Sequence, residues 1–412
     1  MREQNIVGLD IGTSNIRCVV AQIKDEKSKP QIMGIGHSPS FGLRRGVVVD
    51  VEEAVKNIVA AVESAERTSG ITIEEVIVNV GGSDIESRQS KGVIAVSRAD
   101  GEISHEDTKR AVSAAAAISL PQNREIVHVI PQRFTVDGQP AIKDPVGMSG
   151  VRLEVDVLLV DSSTPYIKNL KKALEEAGLD VSSLVVSPLA AATAVLTKRQ
   201  KELGALVVDF GGGTTGLVVF EEGDILQTKI LPVGSSHITN DIAILLRTSV
   251  DVAEKVKLEF GTCLPGDIDR KDMVDLEKLG GEGKDSKKEL AEIIEARVAE
   301  LAELINEELK KIDREGLLPA GVILVGGGAK LPGLCDLMKD KLKLPIQIGF
   351  PSEFDGVVEK IDDPSFATAA GLITWLAEGT EPGRNKLLNL PLLPSFGGTV
   401  GKMKKWLKEF MP

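Results

Sequence analysis

Short aliphatic runs alternate with amphipathic stretches along much of the chain. Residues 5–12 (NIVGLDIG) and 16–23 (IRCVVAQI) predict two strands joined by a turn at 12–15. From residue 51 onward, apolar side chains recur at helical spacing, and this helix is predicted to end at Gly70. Residues 74–82 (EEVIVNVGG) predict a buried strand. Strands that alternate with helices in this way are typical of an α/β protein with a doubly wound, mostly parallel sheet.

Two later stretches depart from this pattern. Between residues 83 and 164, strand-like segments surround one helical segment, so we predict a small inserted α+β domain. A second inserted stretch, residues 234–316, contains a long helical segment at 286–312. The spacing of Glu before Lys and Arg in that segment predicts a mostly solvated helix with a single buried stripe.

Internal similarity is the most informative feature of the sequence. Residues 7–20 (VGLDIGTSNIRCVV) and 207–220 (VVDFGGGTTGLVVF) share one arrangement. In each, an apolar strand ends in an Asp, a Gly-rich turn with hydroxyl side chains follows, and a second apolar strand returns. Two unrelated hairpins would also contain Gly and Thr, but the shared Asp favours duplication. The repeat therefore predicts two related halves that face each other.

Composition and charge narrow the class of protein. The chain has 412 residues, of which 42% are apolar, so more than one domain and a large core are expected. A formal net charge of −12 argues against non-specific nucleic-acid binding. Cys18, Cys263 and Cys335 have neither metal nor disulfide spacing and predict reduced cytosolic thiols. We see no secretory signal and no apolar run long enough for a membrane span, so we expect neither a secreted nor an integral membrane protein.

The Gly-rich turns contain the groups that hold a polyphosphate. Their backbone N–H groups and hydroxyls can donate to phosphate oxygens from opposite walls of a cleft. Asp10 and Asp209 lie where a carboxylate could hold a hydrated Mg²⁺. A third turn, within residues 323–333 (ILVGGGAKLPG), could accept a purine ring, with an ordinary strand-to-helix connection as the alternative. Neither a dinucleotide-binding helix nor a P-loop is expected, because an apolar strand follows the second turn and no P-loop sequence occurs.

These motifs together resemble a known group of proteins. The three turns, with residues 187–196 (SPLAAATAVL) and 366–372 (FATAAGL), resemble the actin-like ATP-binding superfamily. Residues 124–139, 147–160 and 231–261 are similar to one branch of it, the FtsA family of bacterial cell-division proteins. The resemblance implies an α/β, two-domain actin-like fold with duplicated RNase H-like cores. In that fold the inserted α+β segment corresponds to the 1C subdomain.

The resemblance also implies a division of the chain into subdomains. The boundaries are 1–82 and 165–192 for subdomain 1A, 83–164 for 1C, 193–233 and 318–378 for 2A with its closing helix, 234–317 for 2B, 379–400 for a flexible linker and 401–412 for an amphipathic helix.

By the same resemblance, a site for ATP and Mg²⁺ is expected between the two halves, with Asp10 and Asp209 at the metal ion. The residues expected to bind the cofactor are Asp10, Gly12, Thr13, Ser14, Asn15, Asp209, Gly211, Gly212, Gly213, Thr214, Thr215, Gly234, Glu254, Lys257, Gly326, Gly327, Gly328 and Lys330. Ordinary helix-surface charge remains an alternative for Glu254 and Lys257, which match residues that contact the ribose and base.

Two positions depart from the family pattern. Ser187 stands where the family usually has a Glu that helps to orient the attacking water, and Gly216 stands in place of a common Asp. A Ser hydroxyl is a far poorer general base than a carboxylate. We therefore expect nucleotide binding with at most weak ATPase activity, and no catalytic residue is assigned.

The end of the sequence predicts a membrane-binding helix. Apolar side chains of residues 403–411 recur on one helical face, and lysines occupy the other. A basic amphipathic helix of this kind lies in the bilayer interface, although docking on the protein's own body is the alternative. The residues expected to contact an anionic membrane are Met403, Lys404, Lys405, Trp406, Leu407, Lys408, Phe410 and Met411. Because one short helix binds weakly, several copies joined in a polymer would be needed.

From the resemblance we expect a cell-division protein that forms filaments on the inner face of the cytoplasmic membrane at the division site. It would tether the FtsZ ring by binding the C-terminal tail of FtsZ on subdomain 2B, and other division proteins could bind subdomain 1C. Arg297 is the candidate cation for the acidic tail, with a salt bridge to Glu300 as an equal alternative. A small-molecule kinase or a chaperone-type ATPase of the same superfamily are the rival functions, and the basic amphipathic tail argues against both.

Overall fold

The computed structural model describes residues 4–25 and 28–379. Its strands, in chain order, are β1 (Gln4–Ile11), β2 (Asn15–Ile23), β3 (Gln31–Pro39), β4 (Leu43–Arg44), β5 (Val47–Val48), β6 (Glu75–Val80), β7 (Glu86–Ala95), β8 (Arg124–Val136), β9 (Gln139–Ile142), β10 (Arg152–Ser163), β11 (Asp180–Val186), β12 (Ala205–Phe210), β13 (Thr215–Glu221), β14 (Asp224–Leu231), β15 (Met273–Asp275), β16 (Lys284–Ser286), β17 (Gly321–Val325), β18 (Ile346–Ile348) and β19 (Asp355–Gly356). Its α-helices are α1 (Val51–Ser69), α2 (His105–Ala116), α3 (Thr164–Glu176), α4 (Ser187–Val195), α5 (Lys198–Leu203), α6 (Ser235–Leu246), α7 (Val250–Phe260), α8 (Lys287–Lys311), α9 (Leu334–Leu342) and α10 (Ala367–Gly379).

The first sheet contains the N-terminal repeat, in the strand order β11-β6-β1-β2-β3-β19. β1 is parallel to β6, and β6 is parallel to β11, whereas β1 with β2 and β2 with β3 form antiparallel pairs. β19 is also parallel to β3, so three of the five strand pairs are parallel and the prediction of a mostly parallel sheet is confirmed for this sheet. The short connection between β1 and β2 cannot make the crossover that a parallel pair requires, so the second strand must return antiparallel.

The second sheet repeats this plan. Its order is β14-β13-β12-β17-β18, with β12 antiparallel to β13 and parallel to β17. β12 thus has the same neighbours as β1, namely a hairpin partner on one side and a parallel strand on the other. The duplication predicted from residues 7–20 and 207–220 is confirmed.

Two helices pack between the sheets and join the halves into one core. Ala190 on α4 and Leu372 on α10 are fully buried in the same cluster as Val207 of the second sheet and Val78 of the first. Around this centre, α1 covers the first sheet. Its end is fixed as predicted, because Gly70 adopts a left-handed conformation with φ of 71° and donates its N–H to the Glu66 carbonyl.

The segment from β7 to β10 is a separate unit, as predicted. Its sheet has the order β7-β10-β8-β9, and α2 covers it to form a small core of its own. At its base, the fully buried carboxylate of Asp161 on β10 pairs with Arg88 at 2.8 Å and also with Arg124. These two ion pairs tie three strands together where the inserted unit leaves the first half.

The inserted unit also touches the second half of the molecule, which the sequence analysis did not foresee. Arg133 on β8 donates from Nε to Asp224 Oδ2 at 2.9 Å, and Gln132 donates to the Ile225 carbonyl at 2.6 Å. Ser87 on β7 donates from its hydroxyl to the Thr228 carbonyl at 2.8 Å. The hairpin of β13 and β14 therefore has its start at the second Gly-rich turn and its tip against the inserted unit.

We expect Arg133→Ala to loosen this contact. The pair of Arg133 and Asp224 is partly shielded from solvent, so a coupling of about 1 kcal/mol is expected, near the upper end for accessible ion pairs. The measurement is a double-mutant cycle with Asp224→Ala on thermal unfolding, at low and high salt. Additive losses, or a coupling that salt does not reduce, would mean that the pair does not stabilise the interface.

The second half also contains the long helix predicted at 286–312. α8 buries one stripe of apolar side chains and exposes its other faces, as predicted. Its buried residues are Leu290, Ala291, Ile294, Val298, Leu301, Ala302, Ile305 and Leu309. Among the helices of residues 4–379 that the structure describes, none combines the length and apolar character needed to cross a bilayer.

Candidate nucleotide site

A cleft of about 670 Å³ lies between the two halves, at the carboxyl ends of β1 and β12. Open α/β sheets bind ligands at this edge. Both sequence repeats and the third Gly-rich turn line the cleft. Of the eighteen residues predicted to bind the cofactor, the structure brings these to the wall: Asp10, Gly12, Thr13, Ser14, Asn15, Asp209, Gly211, Gly212, Thr214, Glu254, Lys257, Gly326, Gly327, Gly328 and Lys330.

The first two turns are built alike. Gly12 N–H donates to the Asn15 carbonyl at 3.1 Å, and Gly211 N–H donates to the Thr214 carbonyl at 3.0 Å. Each bond closes the turn that follows an Asp-ended strand, at the same position in both repeats. The matching geometry leaves the hydroxyls of Thr13, Ser14 and Thr214 at the cleft.

The two turns also touch each other. A Cβ atom added to Gly212 would lie 2.0 Å from Ser14 Oγ, and one added to Gly213 would lie 2.8 Å from the Thr13 side chain. Real Cβ atoms do not approach other atoms so closely, so a larger residue at either position would force the side chain of Ser14 or Thr13 to move. The close approach brings backbone N–H groups from both halves to one end of the cleft, where an anion would meet donors from two sides.

Asp10 and Asp209 face this end of the cleft from the two halves. Asp10 accepts a hydrogen bond from Asn79 Nδ2 at 2.7 Å, and Asp209 accepts one from Thr368 Oγ1 at 3.1 Å. Within residues 4–25 and 28–379, neither carboxylate forms a salt bridge. The pKa of Asp10 is raised to about 7, mainly by burial, which the charge of Arg17 opposes and the charge of Asp209 reinforces. Burial likewise raises the pKa of Asp209, while the Thr368 hydrogen bond and Arg17 lower it.

The third turn lines the cleft beside Asp209. Gly326 has φ of 85°, and a Cβ there would lie 2.6 Å from Asp209 Oδ1. The backbone at Gly326 therefore packs directly against Asp209, the candidate metal ligand. Lys330 extends outward to pair with Asp363 at 2.8 Å. Apolar side chains of Val250 and Leu258 on α7 also line the cleft. A planar apolar group could lie against this wall.

Glu254 and Lys257 lie on α7 beside that wall. Lys257 Nζ lies 2.7 Å from Glu254 Oε2 and donates to Thr239 Oγ1 at 2.9 Å. Lys257 is only 8% exposed, and it lines the cleft, so ordinary surface charge does not describe it. Its ammonium is held by Glu254 and Thr239 at a fixed place on the cleft wall.

Three predicted residues do not reach the wall. Thr215 is fully buried, and its hydroxyl donates to the Val233 carbonyl at 2.7 Å. The prediction that Thr215 faces phosphate is corrected, since its side chain points to the other side of β13. Gly213 contacts Thr13 behind the wall, and Gly234 backs the second turn, where its Cβ would lie 2.4 Å from the Gly212 carbonyl oxygen. Gly213 and Gly234 therefore shape the turns without lining the cleft.

Among the polar residues of the cleft that were not predicted from the sequence, three interact with Asp10 or Asp209. Arg17 lies on β2 opposite Asp10, with its guanidinium 5.5 Å from the centre of the Phe366 ring. Asn79 on β6 and Thr368 on α10 hold the two carboxylates. A charged residue in the otherwise apolar strand β2 was the available signal for Arg17. Asn79 and Thr368 gave no local signal, because their role depends on distant segments meeting.

Ser187, the departure from the expected Glu, begins α4 at the cleft wall. Its hydroxyl donates to the Val80 carbonyl at 3.1 Å and accepts from Asn79 Nδ2 at 3.1 Å. Gly216, the second departure, packs against Pro188. With its proton committed to a carbonyl, the Ser187 hydroxyl adds no base to the cleft.

Arg297, the candidate partner-binding cation, lies away from the cleft on α8. Its guanidinium pairs with Asp241 through bonds of 2.7 and 2.9 Å and also with Glu300. The predicted Glu300 contact is thus present, and Asp241 on α6 adds a second anion. The predicted membrane-binding residues 403–411 lie outside the described residues.

Solved structures show which fold this is. The PilM–PilN type IV pilus biogenesis complex matches with a TM-score of 0.66 at 19% identity, covering 90% of this chain and 98% of that one. MreB5 of Spiroplasma citri, solved bound to ADP, matches with a TM-score of 0.53 at 15% identity, covering 92% of this chain and 99% of that one. The chain therefore has an actin-like fold, with two related α/β halves that enclose a cleft.

Sequence comparisons define the branch. The family model "Cell division protein FtsA" matches residues 206–371, and the model "SHS2 domain inserted in FTSA" matches residues 82–161. Cell division protein FtsA of Borreliella burgdorferi is 38% identical over 415 residues, which span the whole of both chains. That of Bacillus subtilis is 38% identical over 90% of this chain and 82% of its own. The chain belongs to the FtsA family of cell division proteins.

Proposed function

We propose that the cleft binds ATP with Mg²⁺ and hydrolyses it slowly at most. The observation that carries this proposal is the meeting of two Asp-ended hairpin turns from the two halves. Asp10 and Asp209 form no salt bridge with any residue that the structure describes, and two such carboxylates suit a hydrated Mg²⁺, which takes one or two carboxylates and keeps most of its waters. Gly12, Thr13, Ser14, Gly211 and Thr214 would donate to the phosphates. The adenosine would lie between the third turn and α7, and MreB5, solved with ADP, supports a nucleotide there.

Nucleotide binding is tested by titrating ATP into the protein with Mg²⁺ and with EDTA. We expect binding that Mg²⁺ strengthens, and slow or undetectable release of phosphate, because Ser187 supplies no base. Asp209→Asn should lose most of the Mg²⁺ effect, since it removes one of the two carboxylates. No ATP binding under either condition would overturn the assignment of the cleft.

We further propose that this protein tethers the FtsZ ring to the inner face of the membrane at the division site. It would polymerise with ATP bound and hold the bilayer through residues 401–412. Membership of the FtsA family over the whole chain supports the division role. The double helical filament of MamK, which has an actin-like fold with a TM-score of 0.51, supports polymerisation. Subdomain 1C, residues 83–164, is the proposed surface for other division proteins.

The C-terminal tail of FtsZ would dock on subdomain 2B, with Arg297 as the cation for its acidic residues. The guanidinium is 27% exposed and already held by Asp241 and Glu300, so the tail would have to compete with these carboxylates. We expect Arg297→Ala to weaken the binding of an FtsZ tail peptide about tenfold, the loss typical of a charged contact at an interface. Arg314→Ala is the matched control, because Arg314 forms a similar two-bond pair with Glu221. If both variants bind the FtsZ tail peptide with equal affinity, Arg297 does not contribute to the interface.

A further inference from the structure

Asn79 is a buried polar residue at the centre of the cleft wall whose role the proposed function does not yet include. It lies near the carboxyl end of β6, beside β1 in the sheet, and is 5% exposed. Its Oδ1 accepts the Ile11 N–H at 2.6 Å. Its Nδ2 donates to Asp10 Oδ1 at 2.7 Å and to Ser187 Oγ at 3.1 Å. Both ends of the amide are therefore committed, and only one orientation of the side chain satisfies all three partners.

These bonds fix the carboxylate of Asp10. Its Oδ1 is held by Asn79, and within residues 4–25 and 28–379 Asp10 makes no other side-chain hydrogen bond. The bond to the Ile11 N–H ties the same amide to the end of β1, so the side chain of Asp10 and its backbone are positioned together. Oδ2 is the oxygen left for a ligand in the cleft. The amide is neutral, so it orients the carboxylate and leaves its negative charge intact. A side chain of Arg or Lys in the same place would neutralise that charge.

The same amide connects Asp10 to the position where the family usually has Glu. Ser187 accepts from Asn79 and donates to the Val80 carbonyl at 3.1 Å, so this pair is neutral and its hydrogen bonds are satisfied. Groups that orient a metal ligand from behind typically change metal affinity ten- to a hundredfold when they are removed. We propose that Asn79 is a positioning residue that holds Asp10 toward the Mg²⁺ of the bound nucleotide. This inference rests on the proposed nucleotide function of the cleft.

The test compares ATP affinity in Mg²⁺ with ATP affinity in EDTA for the full chain and Asn79→Ala. We expect the variant to lose at least tenfold of the affinity that Mg²⁺ adds, while its affinity in EDTA stays within about twofold. The affinity of the ATP complex for Mn²⁺, measured by electron paramagnetic resonance, should fall by a similar factor. Asn306→Ala is the control, because Asn306 on α8 donates to the Lys341 carbonyl and neither residue lines the cleft.

Each outcome separates this inference from the proposal on which it rests. If the wild type binds ATP no better with Mg²⁺, the proposed metal site fails. If the wild type shows the Mg²⁺ effect and Asn79→Ala keeps it in full, Asn79 does not position Asp10. An equal loss in Mg²⁺ and in EDTA would also overturn the inference, because it indicates a general collapse of the cleft. If Asn79→Ala does not fold, Asn79→Ser, which is polar but too short to bridge the three partners, is measured in its place.

Discussion

Asp10→Asn is expected to raise the melting temperature of the nucleotide-free protein at pH 8, while the gain in ATP affinity from Mg²⁺ is lost. Asp10 is 8% exposed, and its pKa is raised to about 7, first by burial. The folded protein therefore binds this proton more tightly than the unfolded chain does. Stability from this group is present at low pH and is lost as the pH rises from about 4 through 7. Above pH 7 the buried charge costs about 1.4 kcal/mol for each unit of pKa shift.

The neutral amide of Asn removes that cost, and we expect the melting temperature at pH 8 to rise by about 5 °C or more. The difference between variant and wild type should shrink steadily as the pH falls from 7 to 5, and it would disappear only near pH 4, where the unfolded chain also binds this proton. The measurement is thermal unfolding of both proteins without nucleotide from pH 5 to pH 8. A variant that is less stable than the wild type at pH 8, or whose advantage does not depend on pH, would contradict the buried charge at Asp10.

Gly371→Ala is expected to be strongly destabilising, although it adds a single methyl group. Gly371 lies on α10 where this helix crosses α4, and its Cβ would lie 1.8 Å from the Ala190 carbonyl oxygen. The neighbouring Thr193 hydroxyl also donates to the Gly371 carbonyl at 2.9 Å, so the two backbones are held at this distance. Since the blocking atom is backbone, the helices must separate, at a cost of about 3 kcal/mol or more.

The same substitution should weaken nucleotide binding, because α4 begins at Ser187 in the cleft wall. Melting temperature and ATP affinity are measured together. Gly266→Ala is the matched control, since Gly266 has no atom within 4 Å of the added Cβ and should change neither quantity. A Gly371→Ala protein with the stability of the control would mean that the contact between α4 and α10 is not close packed.

Much of the fold could be predicted because the two repeats are local. The Asp at the strand end, the Gly-rich turn and the returning strand all lie within fourteen residues, and both hairpins form as expected. Strand direction was predicted in part, because three of the five strand pairs of the first sheet are parallel while strands joined by short turns return antiparallel. The prediction that Thr215 faces the cleft was wrong for a separate reason. Side chains alternate along a strand, so the first residue of β13 faces away from the cleft although its neighbour Thr214 lines it.

The residues that sequence reasoning missed are those whose function depends on distant segments. Asn79 contacts Asp10 only because β6 lies beside β1, 69 positions away in the chain. The contact of Arg133 with Asp224 spans 91 positions and joins the inserted unit to a hairpin of the other half. Neither position has a motif around it. Such contacts follow from the order of strands in the sheets, which no local pattern of the sequence specifies.

We propose that this protein of the FtsA family is a nucleotide-dependent tether between FtsZ and the membrane. The most direct test is co-sedimentation with anionic vesicles in the presence of ATP, comparing the full chain with a chain that ends at Val400. The account predicts that the full chain pellets with the vesicles, more completely at concentrations where it polymerises, and that the shortened chain stays in solution. If both chains stay in solution at every concentration, the last twelve residues do not bind the membrane, and the tether proposal is wrong.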